Sequence, residues 1–280
     1  FLPLAAGLVA LGDKIDPKLV ILIITVMLAL LSFFTYERAK LWGKIDELQL
    51  YWAQNSHNSP RAQNSIAGIL MNQGRVFEAN QFLEHVIQRM PDNALLNLQL
   101  LLQKVYARIA TEQDFIDTAE RLKKQPFDAQ AVQAIRVLTE HVSEQQLTQY
   151  ISFSLNLIQT MDNNPEYKQF PVYEHVSPYL KAKLYIANQQ PNEALSQYLI
   201  ALSRYADVEA GMMMVAELGS AGYTQHALEL LQKVKQVYQH QTKLHRTKRE
   251  YDYEVKRVEE ILKEQLQTKM TSPSKKDVIQ

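Results

Sequence analysis

The sequence predicts an all-α protein: an N-terminal membrane-spanning helix, then a solenoid of about five helical hairpins, then a long C-terminal helix. Three observations predict this. Only eight glycines occur in 280 residues, in a chain rich in Gln, Leu, Ala, Glu and Lys, all of which favour helix over sheet. No run of alternating β-branched residues is long enough to make a strand. Through most of the chain apolar residues recur at spacings of three and four, with breaks at Pro91, Pro126 and Pro165, thirty-five and thirty-nine residues apart.

The N-terminal element rests on LVILIITVMLALLSFF, which opens on Leu19, closes on Phe34 and carries no charge. With its flanks, residues 17–36 reach the roughly 17 to 25 residues that span a bilayer. Lys18 can snorkel at one end, while Tyr36, Arg38, Lys40 and Trp42 suit the other interface. No small-residue cleavage site follows Phe34, which favours a retained helix over a signal peptide. Residues 1–12, FLPLAAGLVALG, are equally apolar but make only about 18 Å of helix. They read as the truncated back end of an earlier membrane segment, with residues 13–18 as the loop of a membrane hairpin.

Residues 37–58 are expected to form a juxtamembrane helix with Leu41, Ile45, Leu48, Tyr51 and Trp52 at helical spacing, ended by the polar run up to Pro60. No long linker separates it from the hydrophobic segment. The repeat domain is then placed at residues 59–240. Ser59 or Asn58 caps a helix that has Pro60 at its first position and Ile66, Ala67, Leu70 and Met71 on its apolar face. Gly74 turns the chain, a second helix over 76–89 points Phe82, Leu83, Val86 and Ile87 inward, and Pro91 stops it. The register returns at Ala182, Tyr185, Ala194, Tyr198 and Ala201, with Gln189 where the glycine would stand, and again at Gly222, Ala227, Leu231 and Val234. Between these copies, apolar helices over 95–109, 115–124, 129–142 and 147–161 fit two further, degenerate hairpins. Such units cannot bury their faces alone and imply stacked neighbours. The last helix is expected to begin near Thr224 and to extend to Gln267, with residues 241–269 as a charged segment and 270–280 as a polar tail.

Chemistry is sparse. Thirty basic residues balance thirty acidic ones, so nothing global points to nucleic acid. The absence of cysteine excludes disulfides and thiolate metal sites without fixing a compartment. The seven histidines lack the spacing of a metal-binding helix, and no phosphate loop or nucleophile elbow occurs. No catalytic, cofactor-binding or metal residue is therefore assigned. Lys243, Arg246, Lys248 and Arg249 form a basic cluster followed at once by acidic residues, which reads as a solvated, ion-paired helix. Seven of the fourteen tyrosines lie from Tyr150 to Tyr205, at positions better suited to packing than to a groove.

The spacing of Ala67, Gly74, Ala79, Leu83 and Pro91 resembles the tetratricopeptide repeat, with Gln63 where that repeat usually carries tryptophan. The resemblance implies a concave groove that takes a protein or peptide partner. In the first copy its lining would be Arg61, Asn64, Gly68, Met71 and Asn72, and in a later copy Tyr179, Lys183 and Ile186. Asn64 and Gly68 do not match a carboxylate clamp.

Taken together, FLPLAAG, the spanning helix and the Arg38-to-Trp42 motif leading into a repeat resemble the C-terminal end of bacterial transmembrane and tetratricopeptide-repeat O-mannosyltransferases. That resemblance covers residues 1–93. It implies a polyprenyl-phosphate-sugar-dependent glycosyltransferase in the bacterial inner membrane, of which this chain would be the non-catalytic, periplasmic end. The competing expectation is a membrane-anchored envelope-assembly or secretion scaffold with no enzyme attached. Arg38, Lys40 and Lys44 against Lys14 and Lys18 lean instead towards repeats on the cytoplasmic side.

Overall fold

A computed structural model describes residues 16–240 and 251–271, and among them all regular structure is helical. Contacts divide the chain between Arg75 and Val76. The first unit holds α1 (Pro17–Trp42), α2 (Ile45–Asn55) and α3 (Pro60–Asn72). The second holds α4 (Val76–Arg89), α5 (Ala94–Tyr106), α6 (Glu112–Leu122), α7 (Ala129–Glu144), α8 (Thr148–Asn163) and the short α9 (Pro165–Lys168). It continues with α10 (Pro171–Ala187), α11 (Pro191–Arg204), α12 (Val208–Ser220), α13 (Thr224–His240) and α14 (Asp252–Thr271). The first predicted repeat, residues 60–93, thus contributes α3 to one unit and α4 to the other.

In the first unit α1 runs past the expected limit at residue 36. Tyr36 to Trp42 keep its helical bonds, and the chain breaks at Gly43, whose N–H donates to Leu41 O. The juxtamembrane helix is therefore only α2, with Asp46 and Glu47 in its first turn, where acidic side chains suit the helix dipole. Of its expected apolar face, Ile45, Tyr51 and Trp52 are exposed and Ala53 is the buried residue. Gln63 explains how α3 does without tryptophan: its side chain is buried and Nε2 donates to Ala53 O at 3.0 Å and Ser56 O at 3.3 Å. This bond satisfies the end of α2, where carbonyls lack helical partners. α1 is the one helix among the described residues with the length and composition to cross a membrane, as an anchor or a signal sequence would.

The second unit is built by sequential pairing. α5 packs on α6, α7 on α8, α10 on α11 and α12 on α13, while α5–α7, α6–α8, α7–α10 and α11–α13 contacts stack one pair on the next. One backbone device recurs at the ends of five helices, four of them at the reversals within these pairs. Gly74, Arg108, Gln146, Gln189 and Gly222 all have positive φ, between 49° and 84°. At each, the next residue's N–H reaches back five residues: Arg75 to Leu70 O, Ile109 to Lys104 O, Leu147 to Val142 O, Gln190 to Tyr185 O and Tyr223 to Leu218 O, all at 2.8–2.9 Å. These are Schellman closures, which satisfy orphan carbonyls at a helix end and need a left-handed residue. Glycine takes that conformation freely; the three side-chain-bearing residues do not.

Local devices fit the remaining helix ends. Asn93, Thr111, Asp128, Asn164 and Asp207 each accept from a backbone N–H as N-caps, Thr111 in a full capping box with Asp114. Asn164 Nδ2 also donates to Leu122 O and Gln125 O, both at 2.9 Å, tying the end of α6 to α9. Phe127 stacks on Phe170 at 3.7 Å and meets Tyr167 edge-on at 5.4 Å, filling the space that α9 opens. Gly211, mid-helix in α12, allows close approach: a Cβ there would lie 2.7 Å from Val234 Cγ2.

The expectation of one helix from Thr224 to Gln267 is corrected. α14 returns antiparallel along α13, with Tyr251 N–H donating to Tyr238 Oη at 3.1 Å, Lys235 paired with Glu259, and Val255 and Leu262 buried. The reason is apolar: Val255, Val258 and Leu262 cover the open face of the last pair. Residues 241–250, with the basic cluster Lys243, Arg246, Lys248 and Arg249, lie outside the described residues, as do residues 1–15 and 272–280.

Replacing Gln189 by Gly is expected to raise stability by about 1 kcal/mol, and Gly222→Ala to lower it by about as much. Gly211→Ala should cost about 1–3 kcal/mol through the clash with Val234. Denaturant unfolding of the full chain checks all three; an unchanged or lowered midpoint for Gln189→Gly would contradict the strain argument.

Candidate functional site

α10 organises the chemistry of the second unit. Its interior Pro178 removes the N–H that would bond Glu174 O. Arg204 Nη1, from the end of α11, donates to that carbonyl at 2.6 Å instead. Two carboxylates then flank α10. On one side Asp162 of α8 accepts from Ser177 Oγ at 2.5 Å and pairs with Lys181 Nζ at 2.5 Å. On the other, Glu217 of α12 accepts from Tyr179 Oη at 2.8 Å and from Tyr198 Oη, with Lys183 Nζ 3.6 Å from Oε1. Ser177 and Lys181 are four apart, as are Tyr179 and Lys183, so one helix serves both acids from two stripes.

Burial first, and then the neighbouring Glu217 carboxylate, push the Tyr179 and Tyr198 phenols well above their ordinary range. Burial, then Asp162, does the same to Tyr173, and burial with Asp128 pushes Tyr167 up to about 12. These groups stay protonated at neutral pH, where they offer no acid–base chemistry.

Beside Glu217 lies a groove of about 610 Å³, walled by the last turns of α7, α10 and α12 and by the turns that follow all three. Lys183, Ile186, Glu217 and Tyr223 line it, and Gln146 and Gln189 line it from their left-handed turns. Its surface mixes amide, hydroxyl and charged groups, the inventory suited to an extended peptide. Of the predicted groove residues, Tyr179 and Lys183 meet around Glu217, the Lys183 ammonium 5.8 Å from the Tyr179 ring centre, and Ile186 lines the groove. Arg61, Asn64, Met71 and Asn72 lie on α3 in the first unit; Arg61 and Asn72 are exposed, Asn64 and Met71 half-buried. Tyr150, Tyr167, Tyr173 and Tyr198 are buried, in keeping with the packing reading of the tyrosine-rich region, whereas Tyr205 is exposed.

Glu217 was not singled out by sequence reasoning. Its signal was present: one carboxylate inside the otherwise apolar run GMMMVAELG, where a charge needs partners. A second, smaller polar groove of about 370 Å³ lies between α4, α5 and α6, where Lys104 bridges Asp114 at 2.7 Å and Glu84 at 3.4 Å. Burial works to raise the Asp114 pKa, but bonds from Lys104 and Thr111 outweigh it and hold the carboxyl below its usual value.

No protein-family model matches the chain, and no curated protein matches it significantly.

Glu217→Ala should destabilise the chain by about 2–4 kcal/mol, because the buried Tyr198 hydroxyl loses its acceptor. Adding Tyr198→Phe should return part of that loss; full additivity of the two changes in a double-mutant cycle would refute the coupling. Since Tyr198 has a folded pKa above its unfolded value near 10.0, its stabilisation is complete below pH 10 and declines as pH rises further. Tyr198→Phe should therefore flatten the alkaline fall in stability, as measured by thermal unfolding between neutral pH and pH 11.

Proposed function

We propose that the chain is a membrane-anchored tetratricopeptide-like solenoid that holds a protein or peptide partner close to the bilayer. The observation that carries this reading is the register of the helix reversals. The five left-handed residues, from Gly74 to Gly222, follow one another at 34, 38, 43 and 33 residues. Ala79, Ala194 and Ala227, each five residues after such a turn, are fully buried, at the positions where the repeat calls for a small side chain. The groove by Glu217 is the binding surface, with Gln146, Gln189 and Lys183 supplying donors and acceptors to a partner backbone.

α1 is the anchor. Its 26 residues make about 39 Å of helix, and its apolar side chains from Leu19 to Phe34 are largely exposed. In the fuller proposal, which rests on the resemblance over residues 1–93, the chain is the non-catalytic periplasmic end of a polyprenyl-phosphate-sugar-dependent glycosyltransferase of the bacterial inner membrane, and the groove presents acceptors to it. Sequencing the reading frame upstream of Phe1 tests this form: further membrane spans with an early acidic loop would favour it over a free-standing scaffold.

A photo-reactive amino acid at Gln189, in the full-length membrane protein, is expected to cross-link a discrete protein partner. At Ile116 and Tyr253, exposed positions outside the groove's lining, it should not. Equal labelling at all three sites, or none at Gln189, counts against the groove. Alkaline phosphatase fused after Gln280 is expected to be active, and an expressed but inactive fusion would place the repeats in the cytoplasm.

A further inference from the structure

The apolar stretch of α1 does not end in a clean boundary with water. Below the break at Gly43, Thr35, Arg38, Ala39 and Trp42 form one stripe of α1 at helical spacing, and it faces Tyr51 and Trp52 of α2 across a groove of about 680 Å³. Trp42 is 74% exposed, Trp52 54% and Tyr51 44%. Large aromatic surface of this kind, with polar N–H and O–H tips, belongs at the headgroup level of a bilayer. The stripe continues towards the N-terminus into Leu31 and Leu28, which are exposed as well.

The charges on this turn differ in their engagement. Lys40 is held by Glu37 at 2.7 Å and lies 4.6 Å from the Tyr36 ring centre. Arg38 has no acidic partner among the described residues, and it is the one charged residue in a groove lined otherwise by aromatic and aliphatic side chains and Thr35. Arg38 is exposed, and with α1 as the anchor a guanidinium beside this apolar stripe is best matched by an anion that is itself attached to hydrocarbon. Its planar fork suits a phosphodiester.

We propose that the α1–α2 groove binds an anionic phospholipid, with its phosphate on Arg38 and an acyl chain along Trp42 and Trp52 towards Leu31. This rests on the reading of α1 as a membrane anchor. Continuity with the exposed apolar face of α1 decides for lipid over a protein segment, because the groove opens onto the surface that the anchor presents to the bilayer.

The chain has two tryptophans, and both line this groove, so intrinsic fluorescence reports on it directly. The full-length protein is reconstituted into phosphatidylcholine vesicles containing about 30% phosphatidylglycerol, with bromine on the acyl chains of one lipid or the other. Bromine on phosphatidylglycerol is expected to quench about fivefold more per lipid than bromine on phosphatidylcholine, the preference that one arginine near a membrane surface provides. Arg38→Gln should abolish that preference, while Lys123→Gln, which removes an exposed cation paired with Glu120 in the second unit, should leave it. Carbonate-resistant sedimentation tests the anchor separately. Protein that sediments but shows equal quenching by both lipids, or none, overturns the lipid site alone; protein that is extracted overturns the anchor and the site together.

Discussion

Four helix pairs of the second unit, α5–α6, α7–α8, α10–α11 and α12–α13, depend on one backbone constraint: a helix must end and its successor start within a few residues, without leaving carbonyls unpaired. The left-handed closure meets that requirement, and it occurs at Gly74, Arg108, Gln146, Gln189 and Gly222 with the same five-residue return bond. It fixes where the second helix starts, and so which of its faces turns inward. Arg108, Gln146 and Gln189 adopt the conformation at a steric cost of about 1–2 kcal/mol each. Packing on both sides of the turn must supply it. Leu147, immediately after Gln146, is buried for that reason, and so is Leu218 at the start of the closure at Gly222.

The second dependency is α10. Tyr173, Leu180 and Leu184 belong to the larger apolar cluster, which begins at Ala94, whereas Ala182 belongs to the cluster that runs to Leu262. The helix therefore joins two cores through opposite faces. A helix in that position cannot bend freely, yet it contains Pro178. The bond from Arg204 to Glu174 O removes the penalty of an unpaired carbonyl, and the acids Asp162 and Glu217 pin the helix on either side. Buried ion pairs are weak sources of net stability, and their better-attested use is to fix one register among several. At a junction between two cores, register is the property most in need of fixing.

The sequence was most legible where periodicity alone decides. The helices from α4 to α8 fall close to the apolar patterns that predict them, and Ala67, Ala79, Ala182, Ala194 and Ala227 are fully buried. It was least legible where a single residue acts through the backbone or across a long separation. No glycine marks the turns at Arg108 and Gln146, so the degenerate pairs showed rhythm without a visible joint. Gln63 read as a lost tryptophan because its bonds to Ala53 and Ser56 depend on the end of α2. The return of α14 is invisible to periodicity, since an amphipathic helix shows the same pattern whether it extends its predecessor or packs back on it.

If the chain is the proposed repeat protein, the turns without glycine and the position of the groove have a common cause. A glycine at the turn contributes no side chain, so an ideal repeat leaves that rim bare. Substituting glutamine strains the turn but places an amide on the rim, as Gln146 and Gln189 do beside Lys183 and Glu217. Strain retained next to a concave surface is better explained by what the side chain contacts there than by drift, because glycine would be more stable at both positions. By the same logic Arg108, strained but outside that groove, carries less of the argument. The two glutamines are where a strained turn and a place on the groove's lining coincide, which supports the proposed binding surface at that end of the helix pairs.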